Sequence, residues 1–323
     1  MSPAPKRDHG GGLDAARVQY GGVRTNWLDL STGINPIPYP LPKFTTQDWT
    51  ALPDEQAMAD LLGAARLFWG VSKDIEIVAA PGASALIARS PALGNPSTVK
   101  IPGPTYNEHG AAFRAAGWSV TETTAETIAD ALVVVHPNNP DGRVWSAAEL
   151  NGPQRLTIID ESFCDVMPDA SLIELTNRPG VVVLKSFGKF WGLAGMRLGF
   201  AIGQPDTLRA LRELIGPWAV SGPALRVGAK ALNDTNWARQ ARDRLAHDAA
   251  RLDTVMTAAG AQIVGGTTLF RLYDVGDAQL WQDRLARAHI WSRVFPYSKT
   301  WLRLGLPGSD PDWAQLTTAL ERS

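Results

Sequence analysis

The sequence has little cysteine and almost no excess charge. Cys164 is the single cysteine in 323 residues, so no disulfide can form within the chain, as is usual for proteins of a reducing cytoplasm. Because Cys164 follows a predicted buried strand, we interpret it as a small core residue rather than a nucleophile. The 31 basic and 32 acidic side chains leave a net charge of −1, which excludes the basic excess of a nucleic-acid-binding protein.

Long apolar runs are missing as well. No window of the sequence approaches the roughly 18 apolar residues that a membrane span requires. The N-terminal residues Met1–His9 carry charge, but no apolar run follows them, so they do not resemble a signal peptide. We therefore expect a cytoplasmic protein without a membrane segment, and no metal site is predicted.

The chain does contain enough apolar residues for a large core. Hydrophobic residues make up 45% of the composition and charged residues 20%, and the length favours two domains. Unbroken apolar runs such as Ala131–Val135 indicate strands that are buried on both faces, which is typical of a mainly parallel sheet covered by helices. The runs predicted as strands of this sheet are Ile75–Ala80, Thr98–Ile101, Ala131–His136, Leu156–Asp160, Val181–Ser186 and Leu198–Ile202.

The pattern predicts an α/β fold in three parts. Residues 1–45 are rich in glycine and proline and are predicted to form an irregular arm. Residues 46–222 form a large domain, in which Asp54 opens a helix and further helices are predicted at Ser84–Leu93 and Asn107–Ala116. Residues 223–323 form a small α+β domain. Its predicted elements are helices over 223–259, at Gln279–Ala288 and at the end of the chain, and strands near Thr268–Leu272, Ile290–Phe295 and Trp301–Leu306.

Polar residues stand at or near the ends of several predicted strands, where open α/β sheets bind ligands. Asn139 lies in the turn-forming run 137–142, and Asp160 ends an apolar strand. Ser186 and Lys189 follow another strand, and Arg197 begins the next. Taken singly, these features are equally well explained as a turn, a helix N-cap, a surface lysine and an ion-pair partner.

The residue types suit a particular chemistry when they occur together. A lysine in a poorly solvated place presents its amine as a nucleophile. The planar fork of an arginine matches phosphate oxygens. A carboxylate at the end of an apolar strand requires a cationic partner or a functional reason, because burial of an unpaired charge is costly.

The order and spacing of these residues resemble the PLP-dependent aminotransferases with the aspartate-aminotransferase fold, over almost the whole chain. The resemblance implies that Lys189 holds pyridoxal 5'-phosphate (PLP) through a Schiff base. Asp160 would pair with the pyridine nitrogen, and Asn139 would donate to the oxygen of the ring hydroxyl. Arg197 and Ser186 would hold the cofactor phosphate.

Further residues match the same family. The turn Gly82, Ala83 and Ser84, between a strand and a helix, would cradle the phosphate, although a simple turn is the alternative. Tyr106 corresponds to the aromatic residue that stacks on the PLP ring, with core packing as its alternative. Arg303, a charge inside an apolar strand, corresponds to the arginine that binds the substrate carboxylate.

Four segments resemble the threonine-phosphate decarboxylases of cobalamin biosynthesis more narrowly: residues 9–11, 30–36, 104–109 and 302–307. The resemblance implies decarboxylation of L-threonine O-3-phosphate to (R)-1-aminopropan-2-yl phosphate. Gly33 and Asn35 would line the substrate site, and His9 would lie near the substrate's phosphate. Because the active sites of this family are built at homodimer interfaces, we also expect a homodimer.

Two alternatives remain at this stage. The decarboxylases are close to the histidinol-phosphate aminotransferases, but Leu52 and Phe163 replace tyrosines that are common in those enzymes, which puts ordinary transamination in doubt. Some proteins use this fold as a sensor without turnover. That reading requires a DNA-binding segment, for which the chain has no basic region, and the presence of Lys189, Asp160 and Arg197 together favours an enzyme.

Overall fold

The computed structural model describes residues 9–125 and 127–321. Its α-helices are α1 Leu13–Tyr20, α2 Thr46–Thr50, α3 Glu55–Trp69, α4 Ala83–Arg89, α5 Asn107–Ala115, α6 Pro205–Ile215, α7 Gly222–Asn233, α8 Thr235–Ala258, α9 Ala278–Arg287 and α10 Asp310–Glu321. Its strands are β1 Leu28–Asp29, β2 Glu76–Ala80, β3 Thr98–Lys100, β4 Ser119–Thr121, β5 Ala131–Val135, β6 Leu156–Asp160, β7 Val181–Ser186, β8 Gly199–Gly203, β9 Gln262–Thr267, β10 Phe270–Asp274, β11 Ile290–Trp291, β12 Arg293–Phe295 and β13 Ser298–Gly305.

The chain divides into two compact units. One comprises residues 38–241, and the other combines residues 1–37 with residues 242–323. These limits differ from the predicted domain boundaries at residues 45 and 222, which stay predictions. Within the described part of the chain, no helix is both long and apolar enough to cross a membrane.

The unit of residues 38–241 is built on a seven-stranded sheet with the order β2–β8–β7–β6–β5–β3–β4. Strand β8 runs antiparallel to both of its neighbours, and the other neighbouring strands are parallel. The five residues of β5 and of β6 are all buried, as are those of β8. The predicted α/β fold with a mainly parallel sheet is therefore confirmed, and burial on both faces explains why these strands lack polar alternation.

Several predicted elements of this unit begin or end where their sequence signals indicate. Asp54 is the N-cap of α3, and its carboxylate accepts a hydrogen bond from the backbone N–H of Ala57 at 2.9 Å. Gly70 ends the helix in the left-handed region, with φ of 66°, where a residue without a Cβ is favoured. Three elements of the unit, α2, α6 and the short edge strand β4, are additional to those predicted.

The other unit contains a four-stranded antiparallel sheet with the order β12–β13–β10–β9. A separate parallel pair joins β1 to β11, with Leu28 opposite Ile290. Helix α1 packs here through Leu13 and Ala16, which form a buried cluster with Trp27 and Ala286.

The structure corrects three expectations for this unit. The arm is not irregular throughout, because Leu13–Tyr20 forms a helix whose apolar residues Leu13, Ala16 and Tyr20 recur at helical spacing. The strand predicted near Thr268–Leu272 is present as β10 but begins two residues later, at Phe270, and it pairs with β9, which was not predicted. The strand predicted at Ile290–Phe295 is divided at Ser292 between two sheets.

Candidate active site

The strand register gathers several chain segments at one edge of the seven-stranded sheet. Ala80, the last residue of β2, and Ser186, the last residue of β7, both lie opposite Gly199 at the start of β8. Val135, the last residue of β5, lies beside Asp160, the last residue of β6. The loops that follow β2, β5, β6 and β7, and the loop that precedes β8, therefore emerge at the same edge.

An open pocket lies at this edge. Eight of the nine residues predicted to bind the cofactor line it, namely Ala83, Ser84, Tyr106, Asn139, Asp160, Ser186, Lys189 and Arg197. The ninth, Gly82, directly precedes Ala83 and is the N-cap of α4. The structure thus brings together residues that are separated by more than a hundred positions in the sequence.

Asp160 is a buried carboxylate whose two oxygens have separate partners. Oδ2 lies 2.8 Å from Nε2 of His109, a residue of α5 whose side chain is fully buried. Oδ1 accepts hydrogen bonds from the backbone N–H of Ser162 at 3.0 Å and from its hydroxyl at 2.5 Å. The carboxylate is therefore held in one orientation while it lines the pocket.

These contacts also determine the ionisation of Asp160. Burial, the largest single effect, would raise the pKa of this carboxyl group, but the hydrogen bond and charge of His109 oppose it. The two hydrogen bonds from Ser162 act in the same direction, so the pKa of Asp160 is lowered. The pocket consequently contains a fixed negative charge at neutral pH.

At the opposite end of the predicted cofactor site, Arg197 lies against the turn that starts α4. A Cβ placed on Gly82 would be 2.5 Å from Nη2 of Arg197. A Cβ on Gly199 would be 2.4 Å from the backbone nitrogen of Ala83. The two glycines therefore allow the guanidinium group and strand β8 to approach the turn closely, which creates a compact group of hydrogen-bond donors.

The loop that carries Lys189 is fixed by aromatic packing. Phe187, Phe190 and Trp191 are fully buried. The ring of Trp191 stacks on Phe187 at a centroid distance of 4.9 Å and on Trp237 at 5.3 Å. Lys189 lies between these anchored residues and lines the pocket, and this packing restricts the positions that its amine can take.

A buried ionic cluster lies next to this loop. Nζ of Lys185 is 2.5 Å from Oε2 of Glu161 and 3.6 Å from Oδ1 of Asp165. The other oxygen of Asp165 accepts a hydrogen bond from the indole N–H of Trp191 at 3.1 Å. Burial alone would raise the pKa of Glu161, but the charge of Lys185 lowers it. The cluster thereby connects the ends of β6 and β7 to the loop of Lys189.

His136, Glu161 and Cys164 lie close enough together to suggest a metal site. However, Nδ1 of His136 accepts from the backbone N–H of Trp145 at 3.1 Å, and Nε2 lies 2.7 Å from the carbonyl oxygen of Ala170. Glu161 is paired with Lys185. We therefore assign these residues to packing and hydrogen bonding between loops, and not to a metal site.

The four predicted substrate residues belong to the other unit. Arg303 is buried and donates from Nη2 to the carbonyl oxygen of Ser31 at 2.7 Å. Gly33 is buried two residues further along. His9 is exposed and precedes Gly10, at which a Cβ would be 2.5 Å from the oxygen of Ser31. These three residues are therefore grouped around one segment.

Asn35, the fourth of these residues, is fixed by an arginine of α8. Its Oδ1 accepts hydrogen bonds from Nη2 of Arg244 at 2.8 Å and from the backbone N–H of Ile37 at 3.0 Å. Asn35 is 2% exposed. The orientation of its side chain is thus determined within its own unit.

His109 and Ser162 are two further members of the site that were not predicted from the sequence. Ser162 had a local signal, since an aspartate often accepts hydrogen bonds from the residue two positions later. His109 had a weaker one, its place in the first turn of α5, three residues after Tyr106, which is the N-cap of this helix. Its partner Asp160 is 51 positions away, and the contact depends on how α5 packs against the sheet.

Comparison with known proteins agrees with this architecture. Residues 43–322 match the family model described as aminotransferase class I and II. The chain is similar to a threonine-phosphate decarboxylase of Pseudomonas aeruginosa, with 42% identity over 97% of each chain. It is also similar to a threonine-phosphate decarboxylase of a Sinorhizobium species, with 40% identity over 97% of each chain.

A solved structure shows the same fold at lower sequence similarity. A histidinol-phosphate aminotransferase from Sinorhizobium meliloti, in complex with pyridoxal-5'-phosphate, aligns with a TM-score of 0.84 and 20% identity. The alignment covers 100% of this chain and 96% of that one. At this level of identity the likeness concerns the fold alone.

Proposed function

Since the chain belongs to the aminotransferase class I and II family, we propose that it is a PLP-dependent decarboxylase of L-threonine O-3-phosphate. The products would be carbon dioxide and (R)-1-aminopropan-2-yl phosphate, a precursor in cobalamin biosynthesis. The observation that carries the proposal is the 42% identity to a threonine-phosphate decarboxylase over 97% of both chains. The pocket supports it, because the residues that line it suit the cofactor at both of its ends.

The phosphate end of PLP suits the group of donors around Gly82. A phosphate dianion requires several hydrogen-bond donors and positive charge. Arg197 supplies the charge, the hydroxyl of Ser186 supplies a further donor, and the turn from Gly82 to Ser84 supplies backbone N–H groups. A Cβ at Gly82 would occupy the space beside the Arg197 guanidinium. This glycine is therefore required if the guanidinium and the turn are to bind the same phosphate.

The ring end of PLP suits Asp160. A pyridine nitrogen keeps its proton when an ionised carboxylate faces it, and the lowered pKa of Asp160 ensures that this carboxylate is ionised. Asn139 would donate from its side-chain amide to the ring oxygen, and Tyr106 would cover one face of the ring. His109 and Ser162 do not contact the ring in this proposal, but they orient the carboxylate that does.

When bound, PLP supplies a conjugated ring that accepts the electron pair left on the substrate's α-carbon. In the decarboxylation, the bond between the α-carbon and the carboxylate breaks, carbon dioxide leaves, and a proton takes its place. Lys189 would hold the cofactor before the reaction, and its amine would afterwards donate this proton. The anchored loop around Lys189 limits the distance over which the amine moves.

The proposed substrate contacts lie on residues 9–35 and on β13. Arg303 would bind the substrate carboxylate, because a guanidinium pairs with a carboxylate through two hydrogen bonds. Gly33 and Asn35 would line the substrate site, and His9 would lie near the phosphate. We further propose a cytoplasmic homodimer, as the resemblance to the family implies.

A product assay tests the reaction. Purified protein loaded with PLP is given L-threonine O-3-phosphate without any keto acid, and a parallel sample receives glutamate and imidazole-acetol phosphate. We expect carbon dioxide and aminopropanol phosphate in the first sample. Amino transfer in the second sample without carbon dioxide in the first would make the protein a histidinol-phosphate aminotransferase, and binding of PLP without either reaction would favour a sensor.

A further inference from the structure

One buried asparagine joins two loops of the pocket. Asn138 lies in the loop after β5, directly before Asn139. Its Nδ2 donates to the carbonyl oxygen of Pro104 at 3.0 Å, and its Oδ1 accepts from the hydroxyl of Thr105 at 2.6 Å. Pro104 and Thr105 directly precede Tyr106. The side chain of Asn138 therefore ties the loop that carries Tyr106 to the loop that carries Asn139.

The same side chain also closes its own loop. Nδ2 of Asn138 makes a second hydrogen bond to Oδ1 of Asp141 at 2.8 Å, and this oxygen also accepts from the backbone N–H of Arg143 at 3.0 Å. The backbone of Asn138 pairs with Arg143 and Gly142, both at 2.8 Å. Both amide protons and the amide oxygen of Asn138 are thus in use, on a residue that is only 6% exposed.

From this arrangement we propose that Asn138 is a positioning residue, which fixes Asn139 and Tyr106 relative to each other. The inference rests on the proposed function, in which Tyr106 covers the PLP ring and Asn139 donates to the ring oxygen. Both contacts must be made to one rigid ring, so the two loops must keep a constant spacing. Asn138 suits this role because a side-chain amide donates and accepts at once, and replacement by an apolar residue removes its hydrogen bonds to Pro104, Thr105 and Asp141.

The role has a spectroscopic consequence that a general loss of stability would not produce. An N–H donor stabilises the anionic form of the ring oxygen and so lowers the pKa that is read from the absorption spectrum of bound PLP. If Asn138 no longer fixes Asn139, this donor is misplaced, and the spectral pKa rises. One hydrogen bond of ordinary strength corresponds to an increase of about half a unit to one unit.

The experiment is an absorbance titration of the PLP-loaded protein against pH, together with the dissociation constant of PLP. The variants are Asn138→Ala, Asn139→Ala and the double variant. We expect both single variants to raise the spectral pKa, and the double variant to raise it no further than Asn139→Ala does, because Asn138 acts through Asn139. Asn138→Ala should also weaken PLP binding about tenfold.

Two further variants keep the test independent of folding. Thr105→Val removes only the hydroxyl that donates to Asn138, and we expect a smaller shift in the same direction even if Asn138→Ala does not fold. Asn151→Ala, at an exposed asparagine of the same unit, is the matched control and should leave spectrum and affinity unchanged.

Three outcomes are distinguishable. A raised spectral pKa that is absent from the Asn151 control and not additive with Asn139→Ala supports the inference. An unchanged spectral pKa in both Asn138→Ala and Thr105→Val overturns it, whatever the thermal stability of these variants. A wild-type protein that does not bind PLP overturns the proposed function itself, and the inference with it.

Discussion

At the scale of single residues, the contact between His109 and Asp160 helps to keep this carboxylate of the pocket ionised. Asp160 is buried, and burial by itself would favour its neutral form. The interactions with His109 and Ser162 together reverse this preference. An uncharged Asp160 could not keep a pyridine nitrogen protonated, so the electrostatics of the proposed reaction depend on a residue that does not itself contact the reacting atoms.

We predict that His109→Ala shifts the acid limb of the pH profile of kcat/KM to higher pH. The folded pKa of Asp160 is lowered, so this group stays ionised above the folded value, and activity that needs its charge is lost as pH falls through that value. Without His109 the effect of burial dominates, and protonation begins at a higher pH. An acid limb equal to that of His247→Ala, at an exposed histidine, would contradict this role.

Much of the candidate site could be predicted residue by residue, because its members end strands or occupy the loops beside them. Asp160 and Ser186 are the last residues of β6 and β7, and sheet geometry brings such ends to one edge. The partners that orient them could not be predicted in the same way. His109 and Asn138 act through side-chain contacts between segments that are distant in sequence, and these contacts require the packed structure.

At the scale of elements, the ionic cluster of Lys185, Glu161 and Asp165 holds the ends of β6 and β7. All three residues are almost fully buried. Removal of one member of a buried ion pair leaves an uncompensated charge, which typically costs about 3–5 kcal/mol. The largest effect on stability is therefore expected when one member of the cluster is replaced, because its charged partner then stays buried without compensation.

We predict that Lys185→Met destabilises the protein by about 3–5 kcal/mol at pH 7, measured by denaturant unfolding. The double variant Lys185→Met with Glu161→Gln should recover part of this loss. In the wild type, the pKa of Glu161 is lowered, so its stabilisation is present above the unfolded pKa of about 4.3 and is lost as pH falls through the folded value.

The pH dependence distinguishes this account from simple loss of packing. In Lys185→Met, burial of Glu161 without its partner raises the pKa of this group, so acidification should narrow the difference in stability from the wild type. Lys73→Met, at an exposed lysine, provides the control. A difference that stays constant from pH 7 to about pH 5 would contradict the assignment.

The close approach of β8 to the start of α4 gives a second prediction for elements. A Cβ at Gly199 would meet backbone atoms of Gly82 and Ala83, which cannot move aside as a flexible side chain can. We predict that Gly199→Ala weakens PLP binding about tenfold or more, since overpacking of this kind costs about 1–3 kcal/mol. Gly195→Ala, where the same atom meets open space, should leave the affinity unchanged.

Strands with unbroken apolar runs could be predicted from the sequence, whereas the partly exposed strands β4 and β9 could not. β5, β6 and β7 lie within or at the predicted limits, because full burial requires continuous apolar residues. β9 contains Gly265 and Gly266 and is mostly exposed along its first residues, so it lacks that signal. β4 is a short edge strand with two exposed residues, and its pairing depends on its neighbour rather than on its own composition.

At the scale of the whole molecule, the proposal assigns cofactor and substrate binding to different units of the chain. The predicted cofactor residues belong to the unit of residues 38–241, and the predicted substrate residues belong to the other unit. Substitutions of the cofactor residues should therefore weaken PLP binding, whereas substitutions of the substrate residues should raise KM and leave PLP bound. This separation provides a test of the assignment that does not depend on how the two units are arranged.

We predict that Arg303→Ala raises KM for L-threonine O-3-phosphate roughly 30-fold or more, from the loss of at least about 2 kcal/mol of a buried charged hydrogen bond. PLP should remain bound, with an unchanged absorption spectrum. Arg287→Ala, at an exposed arginine of the same unit, should have no effect. An unchanged KM in Arg303→Ala would exclude the carboxylate-binding role.

The fold class of the whole chain could be predicted because the apolar runs, the turns between them and the family resemblance all agreed. The contact between the two ends of the described chain could not, since it depends on pairing of β1 with β11 and on packing of α1 against Ala286. Contacts between the two ends of a chain leave no periodic signal in the sequence of either end.

The measurement that tests the central claim most directly follows the carboxylate carbon of the substrate. L-threonine O-3-phosphate with a labelled carboxylate is given to the PLP-loaded protein and to Lys189→Ala, with Lys73→Ala as the control. We predict one labelled carbon dioxide for each aminopropanol phosphate in the wild type and the control, and none with Lys189→Ala. Label that stays in the organic fraction of the wild type, or release that continues in Lys189→Ala, would contradict the account.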